Sequence, residues 1–328
     1  MQARPGVQGP GTSARPGGHY GPAVDPIPVP GTYDRPLGTS DLRVGPIAYG
    51  CWRFAGTGVA EATAKISTAL DSGMTLIDTA DIYGFDGSDG FGDAEELLGR
   101  VLAGSPALRD RMVLATKGGI RPGVPYDQGH EYLTGACEAS LRRLGVESVD
   151  LYQVHRPDVL THPEALATTL RSLVDRGLTR TVGVSNFTAS HTRALRSYLG
   201  DLLATTQPEW SALCLDPLTD GTFDLCAEFG ITALAWSPLA GGRLTVPEPD
   251  EDRTARVVVV LDELAAEHGV DRAAIALAWT AAHPAGVVPI IGTQRVERIE
   301  SLAVASEVHL DRSQWYRVLS ASLGARLP

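Results

Sequence analysis

Past residue 33 the chain repeats one pattern. A short apolar run of β character gives way to a longer stretch in which apolar positions return every three or four residues. The runs that read as strands are 43–49, 75–78, 112–116, 149–154, 181–184, 203–207, 232–236 and 287–291. Helical periodicity occupies 61–72, 92–103, 131–144, 163–176, 188–198, 222–228, 253–268, 272–282 and 297–305, and a last helix over 313–323 falls outside the repeat. In the first helix Ala64, Ile66, Ala69 and Leu70 are expected on the buried side. Gly145, Gly177 and Gly269 stand where helices should stop, and Thr188 or Ser190 is placed to cap the fifth.

Strands that alternate with helices pair in parallel, because each parallel neighbour needs a crossover. Eight such units predict an α/β fold, a (β/α)8 (TIM) barrel. The alternative is an open doubly wound sheet, which usually carries a G-x-G-x-x-G turn after its first strand. Here that strand runs into Tyr49-Gly50-Cys51-Trp52-Arg53, which favours the barrel. Residues 1–33 are rich in Gly and Pro, including Pro26, Pro28 and Pro30, and are expected to form a disordered tail. Residues 34–328 are expected to form a single barrel domain with a C-terminal helix.

Composition narrows the function. With 43% hydrophobic residues in 328, there is ample material for one large core, and the formal charge of −11 argues against nucleic acid as a partner. Cys51, Cys137, Cys214 and Cys226 are widely spaced and form no C-x-x-C pair, so a zinc knuckle or redox dithiol is not expected. No signal peptide and no membrane-spanning run is apparent, which sets the cytoplasm as the expected location. No sequence feature specifies an oligomeric state.

In a parallel barrel, chemistry collects where strands end. The residues there are Asp78 to Gly84, Lys117, His155 to Asp158, Ser185 to Phe187, Gln207, and Trp236 to Leu239. Taken singly, each has an ordinary structural role: a helix cap, a packed tyrosine, a surface lysine, a core histidine. Together they form a proton donor with an electrostatic clamp. A tyrosine near its unperturbed pKa of about 10 is a poor acid at neutral pH, and a neighbouring ammonium lowers that value. Lys117 supplies the charge, Asp78 fixes the lysine, Tyr83 gives the proton, and His155 aims the oxygen that becomes negative when a carbonyl is reduced.

Residues 73–84 (GMTLIDTADIYG), 150–158 (DLYQVHRPD), 182–187 (VGVSNF) and 234–239 (LAWSPL), followed by Gly241, Gly242, Arg243 and Leu244, are similar to motifs of the aldo-keto reductases. The resemblance runs from about residue 41 to the C-terminus. It is nearest to a bacterial branch with His-Arg-Pro-Asp after the fourth strand and Pro-Ile-Ile-Gly near the eighth. It implies NADPH-dependent reduction of an aldehyde or ketone, with Asp78, Tyr83, Lys117 and His155 as the catalytic set and no metal. It also implies that Ser185, Asn186 and Gln207 hold the nicotinamide carboxamide, and that Trp236 stacks on the ring. Ser237, Leu239, Gly241 and Arg243 would cross the pyrophosphate. Gly292, Thr293, Gln294, Arg295 and Arg298 would meet the adenosine 2′-phosphate. Two arginines beside a threonine suit a phosphate on their own chemistry, which favours NADPH over NADH. Many relatives carry Lys-Ser where this chain has Gly292-Thr293, and Glu-Asn where it has Ser301-Leu302.

The small-molecule carbonyl substrate is expected to meet Trp52, Arg53, the loop 118–130 and the loops after strands six and seven, with 85–92 as a rim loop. Two alternatives stay open. One is a lyase that forms a Schiff base on Lys117. The other is a regulatory or binding protein that keeps the fold and the cofactor.

Overall fold

A computed structural model describes residues 34–249 and 251–327; the expected 1–33 tail lies outside them. Eight parallel strands close into a barrel: β3 (Ala48–Gly50), β4 (Leu76–Asp78), β5 (Val113–Gly118), β6 (Val149–Val154), β7 (Thr179–Ser185), β8 (Leu203–Gln207), β9 (Thr232–Ala235) and β10 (Val288–Ile291). Each strand pairs with the next, and β10 returns to β3.

The crossovers are helices packed around the outside: α1 (Val59–Asp71), α2 (Asp93–Gly104), α3 (His130–Leu144), α4 (Pro163–Asp175), α5 (Ala189–Leu199), α6 (Thr222–Phe229), and α7 (Asp252–His268) with α8 (Arg272–Ala281); α9 (Val296–Leu302) follows the last strand. A last helix, α10 (Arg312–Leu323), starts at a capping box in which Asp311 and Gln314 satisfy each other's backbone. Gly145 and Gly269 end α3 and α7 in the left-handed conformation that favours glycine. The Thr188 hydroxyl accepts from His191 N–H at 3.2 Å and caps α5.

Alternation along the strands builds two cores. The outward faces, with Tyr49, Ile77, Leu114, Tyr152 and Val182, pack under the helices. The inward faces, with Ala48, Leu76, Val113, Ala115, Leu151, Leu234, Val288 and Ile290, fill the barrel's interior. Near the C-terminal ends of the strands, the inward positions turn polar.

Two details differ from the sequence expectation. The expected strand 43–49 is broken. Residues 43–44 are β2 (Arg43–Val44), which pairs antiparallel with β1 (Arg35–Pro36), and the barrel strand begins only at Ala48. Gly45 and Pro46 cause the break. Proline has no N–H to give a ladder, and a Cβ at residue 45 would lie 1.8 Å from the Gly73 carbonyl. The hairpin so formed plugs the N-terminal end of the barrel with Leu37, Leu42 and Val44. Gly38 N–H donates to Thr232 Oγ1 at 2.7 Å, and Arg35 donates to the Val287 carbonyl at 2.9 Å. The second difference is on α1, whose buried face carries Ala62 and Lys65, while Ala64 is exposed.

At the C-terminus, α10 is clamped to α8. Trp279 and Trp315 stack at 5.0 Å, and each indole N–H donates to the other's carbonyl, at 3.0 and 3.1 Å. Trp210 stacks on the far side of Trp279 at 4.8 Å.

Candidate active site

The inward polar layer is centred on one carboxylate. Asp78, at the end of β4, is buried and accepts three hydrogen bonds: Lys117 Nζ at 2.6 Å on Oδ2, and Gln207 Nε2 at 3.1 Å and Gln153 Nε2 at 3.2 Å on Oδ1. Lys117, from β5, is fully buried and also donates to the Thr79 carbonyl at 2.8 Å. Each donor sits on a rigid strand, so the lysine has little freedom. Thr205 of β8 donates to Gln153 Oε1 at 3.3 Å and extends the network. Room for this layer comes from Gly183: a Cβ there would meet Thr205 Oγ1 at 1.9 Å and Gln153 Cγ at 3.1 Å.

Tyr83 leans over this pair. It sits in the turn after β4, half-buried, with the Lys117 ammonium 4.8 Å from its ring centroid. His155, following β6, meets the same ring edge-on at 5.7 Å. Burial lifts the Tyr83 phenol above its ordinary value, the Lys117 ammonium draws it back, and burial prevails. The sequence reading expected the opposite net direction, because burial cannot be read from residue identity. Burial pulls the Lys117 ammonium down, but Asp78 and Tyr83 together outweigh it, so the lysine stays charged. His155 is driven well below its ordinary value by burial, then by Lys117 and Arg156, which leaves a neutral imidazole. Its Nδ1 is buried with no hydrogen-bond partner among the described residues.

A second set lines the rim beside it. Ser185 Oγ donates to the Gln207 carbonyl at 3.0 Å. The Asn186 amide donates to Ser185 Oγ at 2.8 Å and to the His155 carbonyl at 3.2 Å, and its Oδ1 accepts from Trp236 Nε1 at 3.0 Å. Ser185, Asn186, Gln207 and Trp236 are thus one connected group. Asn186, Ser237 and Ala240 hold φ of 60°, 50° and 52°, a left-handed backbone that costs non-glycine residues about 1 kcal/mol or more each. Such strain collects where a rim must follow a shape set by function. Leu239 and Gly241 belong to the same turn, where Arg243 bonds the Ala240 carbonyl at 3.2 Å and Glu251 at 3.3 Å.

Between β10 and α9, the carbonyl of Thr293 accepts from Tyr49 at 3.0 Å. Gln294 Nε2 donates to the Gly292 carbonyl at 3.3 Å, and Lys65 donates to Gln294 Oε1 at 2.9 Å. Arg295 and Arg298 are exposed, and neither guanidinium has an ion-pair partner among the described residues. Trp52 and Arg53 follow β3. Both are exposed, with the guanidinium 5.7 Å from the indole ring, and neither touches the Asp78 network.

Sequence reasoning named the pair Asp78–Lys117 and the aromatic pair around it, but missed Gln153, Thr205 and Lys65. Gln153 was findable: it lies between Leu151 and His155 at an inward, period-two position. Asp81, just before Tyr83, was also passed over. It is fully buried, and neither carboxylate oxygen has a side-chain hydrogen-bond partner among the described residues. Burial, then the nearby Glu95, hold its carboxyl well above the ordinary range.

A model of the Aldo/keto reductase family matches residues 46–322. The 6-dehydroglucose reductase of Novosphingobium aromaticivorans is 51% identical over 304 residues, covering 92% of this chain and 99% of that protein. A protein of the same name from Agrobacterium fabrum is 37% identical, covering 86% and 96%. Among solved structures, a thermostable aldo-keto reductase in complex with the inhibitor epalrestat superposes with a TM-score of 0.75 at 27% identity, covering 88% of this chain and 99% of that one.

Proposed function

The chain belongs to the aldo/keto reductase family, and from that premise we propose that it reduces an aldehyde or ketone to the alcohol with NADPH, Tyr83 giving the proton. Its membership makes it an oxidoreductase of carbonyl groups that uses a nicotinamide cofactor. The substrate we favour is a hydroxylated aldehyde like the 6-dehydroglucose in the names of two relatives. The reading is carried by one observation: a buried, charged Lys117, held by Asp78, lies beneath the Tyr83 ring while a neutral His155 stands at its edge.

When bound, the reduced nicotinamide supplies hydride to the carbonyl carbon. The remaining work falls to the chain. The carbonyl oxygen gains negative charge and needs one proton. His155, being neutral, offers an imidazole N–H to that oxygen and orients it. The Tyr83 O–H bond breaks as the substrate O–H bond forms. The phenolate left behind is stabilised by Lys117, whose own position is fixed by Asp78 and the Thr79 carbonyl. A phenol lifted by burial keeps its proton until that moment. The Schiff-base alternative asks Lys117 for a free amine, whereas the side chain is charged and enclosed.

The residues present fit a nicotinamide dinucleotide. Ser185, Asn186 and Gln207 would take its carboxamide and Trp236 its ring, with Ser237, Leu239, Gly241 and Arg243 along the pyrophosphate. Gly292, Thr293, Gln294, Arg295 and Arg298 would receive the adenosine 2′-phosphate. The unpaired Arg295 and Arg298 are what favours NADPH. Trp52 and Arg53 would meet the substrate from the rim. Four free cysteines accord with a cytoplasmic setting.

The test is NADPH oxidation by wild type and Tyr83→Phe with 6-dehydroglucose and a panel of aromatic aldehydes. We expect kcat to fall by about 10²–10⁴ in the variant, with NADPH binding by calorimetry retained. Equal rates would remove Tyr83 from the mechanism.

A further inference from the structure

Lys65 is a lysine that the fold buries completely, on the core-facing side of α1. Taking an ammonium out of water costs several kcal/mol unless it is well partnered, so its partners matter. It pairs with Glu61 one turn earlier at 2.6 Å, lies 5.9 Å from the Phe54 ring centroid, and donates to Gln294 Oε1 at 2.9 Å. Gln294 passes the link on by donating to the Gly292 carbonyl at 3.3 Å. Within the same turn, Tyr49 holds the Thr293 carbonyl from below. The turn's own bonds are weak: Arg295 N–H reaches Thr293 Oγ1 only at 3.4 Å. Its shape is therefore set by two buried side chains from β3 and α1.

We propose that Lys65 is a positioning residue for cofactor choice. Acting through Gln294, it fixes residues 292–295 so that Arg295 and Arg298 face the cofactor's 2′-phosphate, which rests on the reading that this segment receives the adenosine end. Lys65 itself touches no ligand. The inference makes α1, which carries none of the residues assigned to the cofactor, a determinant of NADPH over NADH.

The test is calorimetric titration of wild type, Lys65→Met, Gln294→Leu, their double variant and Arg295→Ala with NADPH and with NADH. Methionine fills the same space without charge, and Gln294→Leu cuts the link while leaving the lysine in place. We expect Kd for NADPH to rise about tenfold in Lys65→Met, as the displaced turn loses one charge-assisted hydrogen bond from Arg295 or Arg298 to the 2′-phosphate. Kd for NADH should stay within about twofold, and the double variant should be no worse than Gln294→Leu alone, because Lys65 acts through Gln294. A merely structural lysine would lower thermal stability and leave the ratio of the two dissociation constants unchanged, which would overturn the proposal. So would additive effects in the double variant. If Arg295→Ala loses the preference for NADPH and Lys65→Met keeps it, only the role of Lys65 falls. If neither variant changes the ratio, the placement of the 2′-phosphate falls and takes this proposal with it.

Discussion

Asp81→Asn should make the protein more stable, by an amount that grows with pH. The carboxyl is fully buried, and neither oxygen has a side-chain hydrogen-bond partner among the described residues. Glu95 of α2 lies near it as a second anion, and only Arg143 of α3, Lys117 of β5 and a backbone N–H work in the other direction. Burial is the larger influence, so the folded protein holds this proton far more tightly than the unfolded chain does. The sign follows from linkage. Where the folded state binds the extra proton, stability is fully present below the unfolded carboxylate pKa of about 3.9 and is lost as pH rises toward the folded value. Because the folded value is raised well above that of the free carboxyl, the wild type loses this contribution progressively as pH climbs from 5 to 7. Asparagine is neutral throughout and avoids the loss. Its amide can donate to the unpartnered Tyr152 hydroxyl, which crowds the same face of Gly118. That local gain or cost is about 1 kcal/mol and independent of pH. Urea unfolding followed by circular dichroism at pH 5, 6 and 7 reads the difference. A gap between variant and wild type that stays constant across these pH values would refute the reasoning.

Two other expectations concern the barrel's polar layer. Gly183→Ala forces a methyl to within 1.9 Å of Thr205 Oγ1, and overpacking of this kind costs about 1–3 kcal/mol. It should also weaken catalysis by disturbing Gln153 beneath Asp78; an unchanged urea midpoint would contradict the contact. His155, held well below its ordinary pKa by burial, stays neutral across the working range. The pH profile of kcat/KM should therefore show no inflection near 6.5 assignable to it, and an inflection there that disappears in His155→Gln would show that the imidazole titrates in place.

How much of this was legible in the sequence depends on the scale of the interaction. Strand and helix periodicities are local, and they located the eight barrel strands and their crossovers. The break at Gly45-Pro46 was legible too, since proline inside a strand argues against the strand, yet the apolar residues around it hid the signal. The hairpin that plugs the barrel was harder. β1 and β2 are two residues each, too short for any period, and Leu37 and Leu42 look like loop residues until the interior is built around them. Asp78 and Lys117 could be paired because adjacent parallel strands bring their ends together. Thr205, and the partners of the otherwise findable Gln153, needed the register of β6 to β8. The direction of the Tyr83 shift lay beyond the sequence, because it is a contest between burial and a charge, and only the folded structure supplies the burial. Lys65 stands between the positions expected on the buried side of α1, and nothing within the helix announces its partner 229 positions away.

The indole clamp between α8 and α10 gives the protein two separate optical voices. Trp210 and Trp279 are fully shielded from solvent and Trp315 nearly so, whereas at the barrel mouth Trp52 is 61% exposed and Trp236 half-buried. A water-soluble quencher such as iodide will silence Trp52 first and leave the blue emission of the stack intact. Loss of that blue emission on warming then marks the moment the C-terminal helix comes away, while a change confined to the quenchable fraction marks an event at the mouth. One chain without added dye thus distinguishes an undocking tail end from an occupied entrance.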